Sequence, residues 1–388
     1  MFESGFGQNF GMKQNCRILL ALTLGAMLPS QLSAEQFLFL TSKDSELVSY
    51  AIDAESGALK PHATFDLPGT GGPMAISADG EIVYVESHLK KEGEQRPSAH
   101  IATLKNSGGK FEKLHVAPVN LRSPGIYVDA TNQVLLGAHY GEGAVSVWRI
   151  DKSRNCTGEL VDHHVTGEKA HFVTTDPSNR FVYVPHTGAN AVFQFSLDPA
   201  AGKLTPLDPP TAPGPDSDHR YHEPRHYAHH PTLEMGFTSN ESGGGISSWK
   251  FNKQTGVLTL NETLNALPAG WEGGSAAADI HITPNGRFVY VSNRDTRKLE
   301  EGQKSGCTLA GFEIDLETGG LKPIGHFPTE YFPRACRIDD TGNFFFAAGQ
   351  KSDKLAVYRI NQETGALKRI GTHETGTGPI WILCWTKS

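Results

Sequence analysis

Apolar and polar positions alternate along this chain in short runs, broken at close intervals by Gly, Asn, Asp and Pro. That is the pattern of strands and tight turns. One motif recurs: an apolar residue, a short polar turn, Gly, then an apolar residue again. It first reads Ile52-Asp53-Ala54-Glu55-Ser56-Gly57-Ala58-Leu59, and it returns at 104–111, 150–160, 197–204, 251–258, 314–321 and 360–367. The seven copies lie roughly 44 to 63 residues apart, within the range of propeller blades. Each copy predicts a hairpin whose Asp/Asn- and Gly-rich turn supplies positive φ.

A second pattern lies upstream of most copies. It reads Thr283-Pro284-Asn285-Gly286-Arg287-Phe288-Val289-Tyr290-Val291, with variants at 77–85, 129–136, 176–184, 230–238 and 339–347. A polar turn here enters a strand rich in Val, Tyr and Phe. Another short strand precedes each turn, as in Pro333-Arg334-Ala335-Cys336-Arg337-Ile338. Four strands per repeat make a propeller blade. The ends agree with this. The last inner strand, 378–385, has no turn or second strand after it, and the strand at 37–40 has no inner strand before it. Together they complete one blade and close the ring, where a solenoid would need capping repeats. The predicted fold is therefore all-β: a seven-bladed β-propeller with four-stranded blades, its N- and C-terminal strands sharing one blade.

The N-terminus has a different character. Met12, Lys13 and Arg17 lead into an apolar run at 18–28, followed by Leu32-Ser33-Ala34. A basic flank, an apolar run and a small-residue site predict a secretory signal peptide at 1–34, with Met12 as an alternative start. The run is too short to span a bilayer. Removing 34 of 388 residues leaves 354, a single domain at 35–388 that is exported to the periplasm or secreted. The net charge of −7 is modest, and no basic patch suits nucleic acid. No second apolar stretch predicts a membrane contact once the leader is removed, and a monomer is expected. Four cysteines remain: Cys156, Cys307, Cys336 and Cys384. Cys336 and Cys384 fall at similar depth on neighbouring inner strands, so a disulfide and two buried thiols both stay open.

Inner strands line the channel of a propeller, so residues at their starts, or just past the second strands, can reach the funnel. The first position selects His171, Arg225, His226, Asp279, His281 and Arg334. The second selects Glu86, His139, Tyr140, His186, Glu241, Arg294 and Gln350. Three arginines aimed at one channel call for carboxylates or an anionic ligand among them, and Arg suits carboxylate and phosphate recognition. The His- and acid-rich segment 216–226 reads as a loop over the funnel rather than a metal site, since it lacks a helical His spacing. No metal and no cofactor are expected.

Three segments carry a family resemblance. They are Glu223-Pro224-Arg225-His226-Tyr227-Ala228-His229-His230-Pro231, the run 278–294 from Ala278-Asp279-Ile280-His281 to Ser292-Asn293-Arg294, and Phe332-Pro333-Arg334 with Gly349-Gln350. The chain resembles the lactonase family of seven-bladed propellers. That family includes one type of bacterial 6-phosphogluconolactonase and has fungal carboxymuconate-lactonising enzymes as relatives. Its motifs at these points are G-P-R-H, A-E-I-H…Y-V-S-N-R and P-R…N-Q. Ser239-Asn240-Glu241 stands where it has V-N-E, and Ser123-Pro124-Gly125-Ile126 stands where it has S-P-C-H.

The resemblance implies a lactone hydrolase acting in the central funnel on a sugar lactone, with or without a phosphate. It places the catalytic groups at His171, Arg225, Glu241 and Arg294. His226, His281, Arg334, Asp279, Gln350 and His186 are expected to bind substrate. His171 or Glu241 would act as general base, while Arg225 and Arg294 orient the carbonyl and the anionic group. Two other readings remain open: a non-catalytic binding propeller and a lactonising cycloisomerase.

Overall fold

The structure, a computed structural model, describes Met1 and residues 34–387 apart from 91–92, 94–96, 217, 219–220 and 301. All of the expected leader at 1–34 except Met1 and Ala34 lies outside the described residues. The described residues form twenty-eight strands and no helix. The strands make seven antiparallel four-stranded sheets. Blades 1 to 6 follow chain order, with inner strands Thr70–Ile76, Gly125–Val128, Thr174–Thr175, Pro224–His229, Ser275–Ile282 and Pro333–Ile338. Blade 7 is built from both ends of the chain: inner strand Trp381–Thr386 pairs with Gln36–Thr41, which pairs with Glu46–Ile52. Each inner region contacts the next blade, and blade 7 contacts blade 1, so the ring is closed. This is the predicted seven-bladed propeller.

Burial explains the strand sequences. The second strands, such as Phe181–His186 and Phe344–Gly349, are buried along their whole length because blades cover both faces. The outermost strands are largely exposed, as in Leu59–Asp66, because they form the outer edge of each blade and meet water.

The recurrent hairpin turn does more than reverse the chain. Tyr84, Tyr183 and Tyr290, on the second strands of blades 1, 3 and 5, donate their hydroxyls to a turn carbonyl of the following blade. The acceptors are Arg154 O at 2.9 Å, Gly256 O at 2.7 Å and Gly365 O at 2.7 Å. Arg180 and Arg287 donate to neighbouring turn carbonyls, at Lys253 O (2.6 Å) and Gln362 O (2.9 Å). The turn glycine is required twice over. At Gly256 φ is +79°, and a Cβ would stand 2.3 Å from the Phe181 ring of the preceding blade. The motif seen in the sequence is thus a docking point between blades.

All four described cysteines are free and buried. Cys384 packs between blades 6 and 7 with Ala335 and Phe346, whereas Cys336 packs between blades 5 and 6 with Tyr290 and Phe345. They share a depth but face opposite sides of blade 6, which decides the open alternative for thiols.

Candidate active site

The inner strands of blades 4 and 6 begin in the same way. Pro224-Arg225 follows Glu223 at φ 67°, and Pro333-Arg334 follows Phe332 at φ 65°. A left-handed non-glycine residue costs about 1–3 kcal/mol and persists where the surrounding fold imposes it. The strand register then slips at Arg225 and at Arg334, and again between Ala277 and Ile280 in blade 5. Such bulges re-aim side chains. Here they bring Arg225, Arg334 and Asp279 towards the axis.

The result is a funnel of about 1130 Å³ whose lining includes His171, Arg225, His226, Glu241, Arg334 and Gln350. Tyr140 and Trp381 join them. Arg294 lies beneath rather than in the wall. It donates to Glu241 Oε1 at 2.5 Å and to the carbonyls of Ala276 and Ala277 at 3.2 and 3.0 Å. The same carboxylate oxygen is 3.6 Å from Arg225 Nε. Burial pushes the Glu241 carboxyl up, but Arg225 and Arg294 outweigh it and hold the group below its usual value. Arg225 is 1% exposed and donates to Ala278 O at 2.8 Å. Burial lowers its pKa, as do Arg294 and Arg334, with Glu241 and Asp279 opposing. Arg334 has no ion pair among the described residues. Three guanidiniums therefore share one carboxylate in the upper funnel, and an anion placed there offsets part of the remaining positive charge.

The floor is aromatic. Phe172 stacks on His226 with ring centroids 4.6 Å apart, and Trp381 lies 6.3 Å from Phe172 and 6.1 Å from His226. Beyond this plug a second cavity of about 390 Å³ opens at the other mouth, lined by Asp279, His281, His229 and Arg337 among others. His226 lines both cavities. Burial drives the His171 pKa well below its ordinary value, with Arg225, His226 and Arg334 adding to the effect. Burial likewise lowers His226 to about 4, with Arg225 contributing and Asp279 opposing. Both imidazoles are neutral at physiological pH.

Several expected funnel residues lie elsewhere. His281 faces the second cavity, its Nε2 3.3 Å from Asp279 Oδ2. Asp279 lines that lower cavity too, beneath His226. His186 is fully buried between strands, with Nε2 2.7 Å from Thr166 Oγ1, Nδ1 2.8 Å from Val184 O, and its ring 4.3 Å from Phe193. As the last residue of its strand, it follows the pleat away from the channel. His139 is held in the same way, 2.8 Å from Ser146 Oγ.

Several funnel residues were not foreseen. Trp381 occupies the strand-start position in blade 7, and only a filter for polar residues hid it. On the opposite rim, His88 and Arg122 line the cavity without having been foreseen, whereas Glu86, an expected funnel residue, is fully buried behind them and accepts from Ser123 N and His88 Nε2, both at 2.8 Å. His88 Nδ1 in turn receives Arg122 at 3.2 Å. Glu86 and His88 share one face of their strand, but nothing local in the sequence pairs them with Arg122.

Residues 37–384 match the family model described as lactonase, 7-bladed beta-propeller. The 6-phosphogluconolactonase of Pectobacterium carotovorum is 30% identical over 357 residues, covering 90% of this chain and 98% of the relative. That of Yersinia pseudotuberculosis is 32% identical over 356 residues, covering 90% and 97%. Among solved structures, the periplasmic gluconolactonase of Pseudomonas aeruginosa superposes with a TM-score of 0.77 at 21% identity, covering 92% of this chain and all of that one. A Lactobacillus plantarum protein superposes with a TM-score of 0.77 at 23% identity, covering 91% of this chain. The chain belongs to the lactonase family of seven-bladed β-propellers.

Proposed function

We propose that this protein is a lactone hydrolase that opens a sugar lactone bearing an anionic or strongly polar group in the upper funnel. The observation that carries the reading is the guanidinium cluster: Arg225, Arg294 and Arg334 around the single carboxylate of Glu241, with Arg334 unpaired beside neutral imidazoles. Opening a lactone needs an activated water and stabilisation of a developing oxyanion. Arg225 and Arg334 line the cavity and supply positive charge to the carbonyl oxygen and to the substrate's anionic group. Glu241, its carboxylate oxygen taken up by Arg294 and Arg225, serves to orient them. Arg294 acts through Glu241. A neutral histidine at the floor takes the proton from water.

The proposed leader places the enzyme in the periplasm or outside the cell. The relatives named 6-phosphogluconolactonase and the neighbour named periplasmic gluconolactonase support lactones with and without phosphate, respectively. Export favours the unphosphorylated sugar lactone.

The test is proton release by the chain from residue 35 on sugar δ-lactones with and without a 6-phosphate. Hydrolysis well above the spontaneous rate is expected, falling by about 100-fold or more in Arg334→Ala. Decay of every lactone at its spontaneous rate would leave a binding propeller as the better description.

A further inference from the structure

Two groups were expected to compete as the base, His171 and Glu241, yet the geometry favours a third. His226 Nδ1 lies 2.9 Å from Asp279 Oδ1. That carboxylate is well supplied with donors. Oδ1 also accepts Ile280 N at 3.0 Å, and Oδ2 accepts Cys336 N at 2.8 Å and faces His281 Nε2 at 3.3 Å. Burial pushes the Asp279 carboxyl up, but His281 and His226 outweigh it and hold the group ionised. An ionised carboxylate at this distance fixes the proton on Nδ1 and leaves the lone pair on Nε2. Among the described residues, Nε2 of His226 is buried with no hydrogen-bond partner, and the ring is clamped by Phe172.

His171 and Glu241 lack this arrangement, and both ring nitrogens of His88 are already engaged, by Glu86 and by Arg122. His171, its ring 5.2 Å from that of His226, has a buried Nδ1 with no partner among the described residues and no carboxylate among them to set its tautomer. Glu241 is tied to Arg294 and Arg225.

We propose that His226, oriented by Asp279, is the general base of lactone opening, and that His171 beside it positions the substrate. The assignment rests on the lactone-hydrolase reading. As the water oxygen bonds to the carbonyl carbon, its proton passes to His226 Nε2 and Asp279 stabilises the imidazolium. The ring C–O bond then breaks, and His226 returns the proton to the departing ring oxygen. The product is a hydroxy acid, whose carboxyl proton leaves to solvent.

The charged and titratable groups around His226 are Asp279 and His281 from blade 5, Arg225 on its own strand, Arg334 from blade 6 and His171 from blade 3. A base must be neutral, so kcat/KM falls as pH drops through the free-enzyme value of about 4. An anionic substrate offsets Arg225 and Arg334, which moves the acid limb of kcat to higher pH than that of kcat/KM.

The test compares the parent with His226→Ala, His171→Ala and Asp279→Asn on glucono-δ-lactone and its 6-phosphate, with added imidazole. Loss of kcat by about 100-fold or more in His226→Ala is expected, with partial recovery in imidazole. Asp279→Asn should lower kcat by about 100- to 10,000-fold with little change in KM. His171→Ala should mainly raise KM. The assignment is overturned if His226→Ala keeps its kcat, or if imidazole rescues His171→Ala instead. Should Asp279→Asn fail to fold, the ¹⁵N spectrum of the parent's histidines decides: His226 must carry its proton on Nδ1, and the opposite tautomer overturns the assignment. A parent inactive on every lactone overturns both the hydrolase reading and the base. An active parent indifferent to His226 overturns the base alone.

Discussion

Glu241 shows how one residue can hold a site together without reacting in it. Its oxygen serves Arg294 at 2.5 Å and Arg225 at 3.6 Å, and both arginines are almost wholly buried. Removing one partner from a buried charge group leaves the others uncompensated, at a cost of about 3–5 kcal/mol. Glu241→Gln should therefore lower unfolding free energy by roughly that amount in a denaturant titration. Adding Arg294→Met should recover part of the loss, because fewer cations then go unpaired. If Glu241→Gln is as stable as the parent, the cluster is better solvated than its burial indicates. Candidate residues were legible in the sequence because propeller geometry limits which positions can reach the axis. The side to which each points was not. Register slips at Arg225 and Arg334 turn those side chains inward, while the regular pleat at His186 turns it away.

At the scale of the element, the recurrent Gly turn fixes each blade to the one before it. Gly256 combines φ +79° with a contact that leaves no room for a Cβ against Phe181. Gly256→Ala should cost roughly 1–3 kcal/mol from the backbone, plus a packing penalty of similar size. Tyr183→Phe, which removes the 2.7 Å bond to Gly256 O, should cost about 1–3 kcal/mol by leaving a buried carbonyl unpaired. Thermal melting of both variants checks this. A neutral effect would show that the turns only reverse the chain. The hairpins and strands were legible because turn chemistry and apolar runs are local signals. The partner of each turn was not, since the contacting tyrosine lies 73 or more residues away in sequence at Gly256 and Gly365.

The whole molecule holds several histidines neutral inside the closed ring. Burial is the main cause that lowers His139, His186, His226 and His229 to about 4 from an ordinary 6.5. Between those values the unfolded chain binds protons that the folded chain refuses. Falling pH therefore favours unfolding across that window, and stability is regained as pH rises towards 6.5. The melting temperature should drop steadily from about pH 6.5 to 4 and change less above 7. A flat profile from 6.5 to 4 would show that these rings are hydrated in solution.

The sequence by itself determined the class, the number of blades and the closure of the ring, because each follows from period, turn residues and unmatched end strands. It also marked a family through motifs whose residues are close in sequence. Only the tertiary structure decided which side chains share a cavity, that Cys336 and Cys384 face opposite sides of one blade, and that Asp279 stands behind His226. Those facts depend on bulges, pleat phase and contacts across blades. In His226 and Asp279, 53 residues separate two groups 2.9 Å apart. A repeat pattern sets where each strand lies, but the direction of a side chain within it is fixed by packing against neighbours far along the chain.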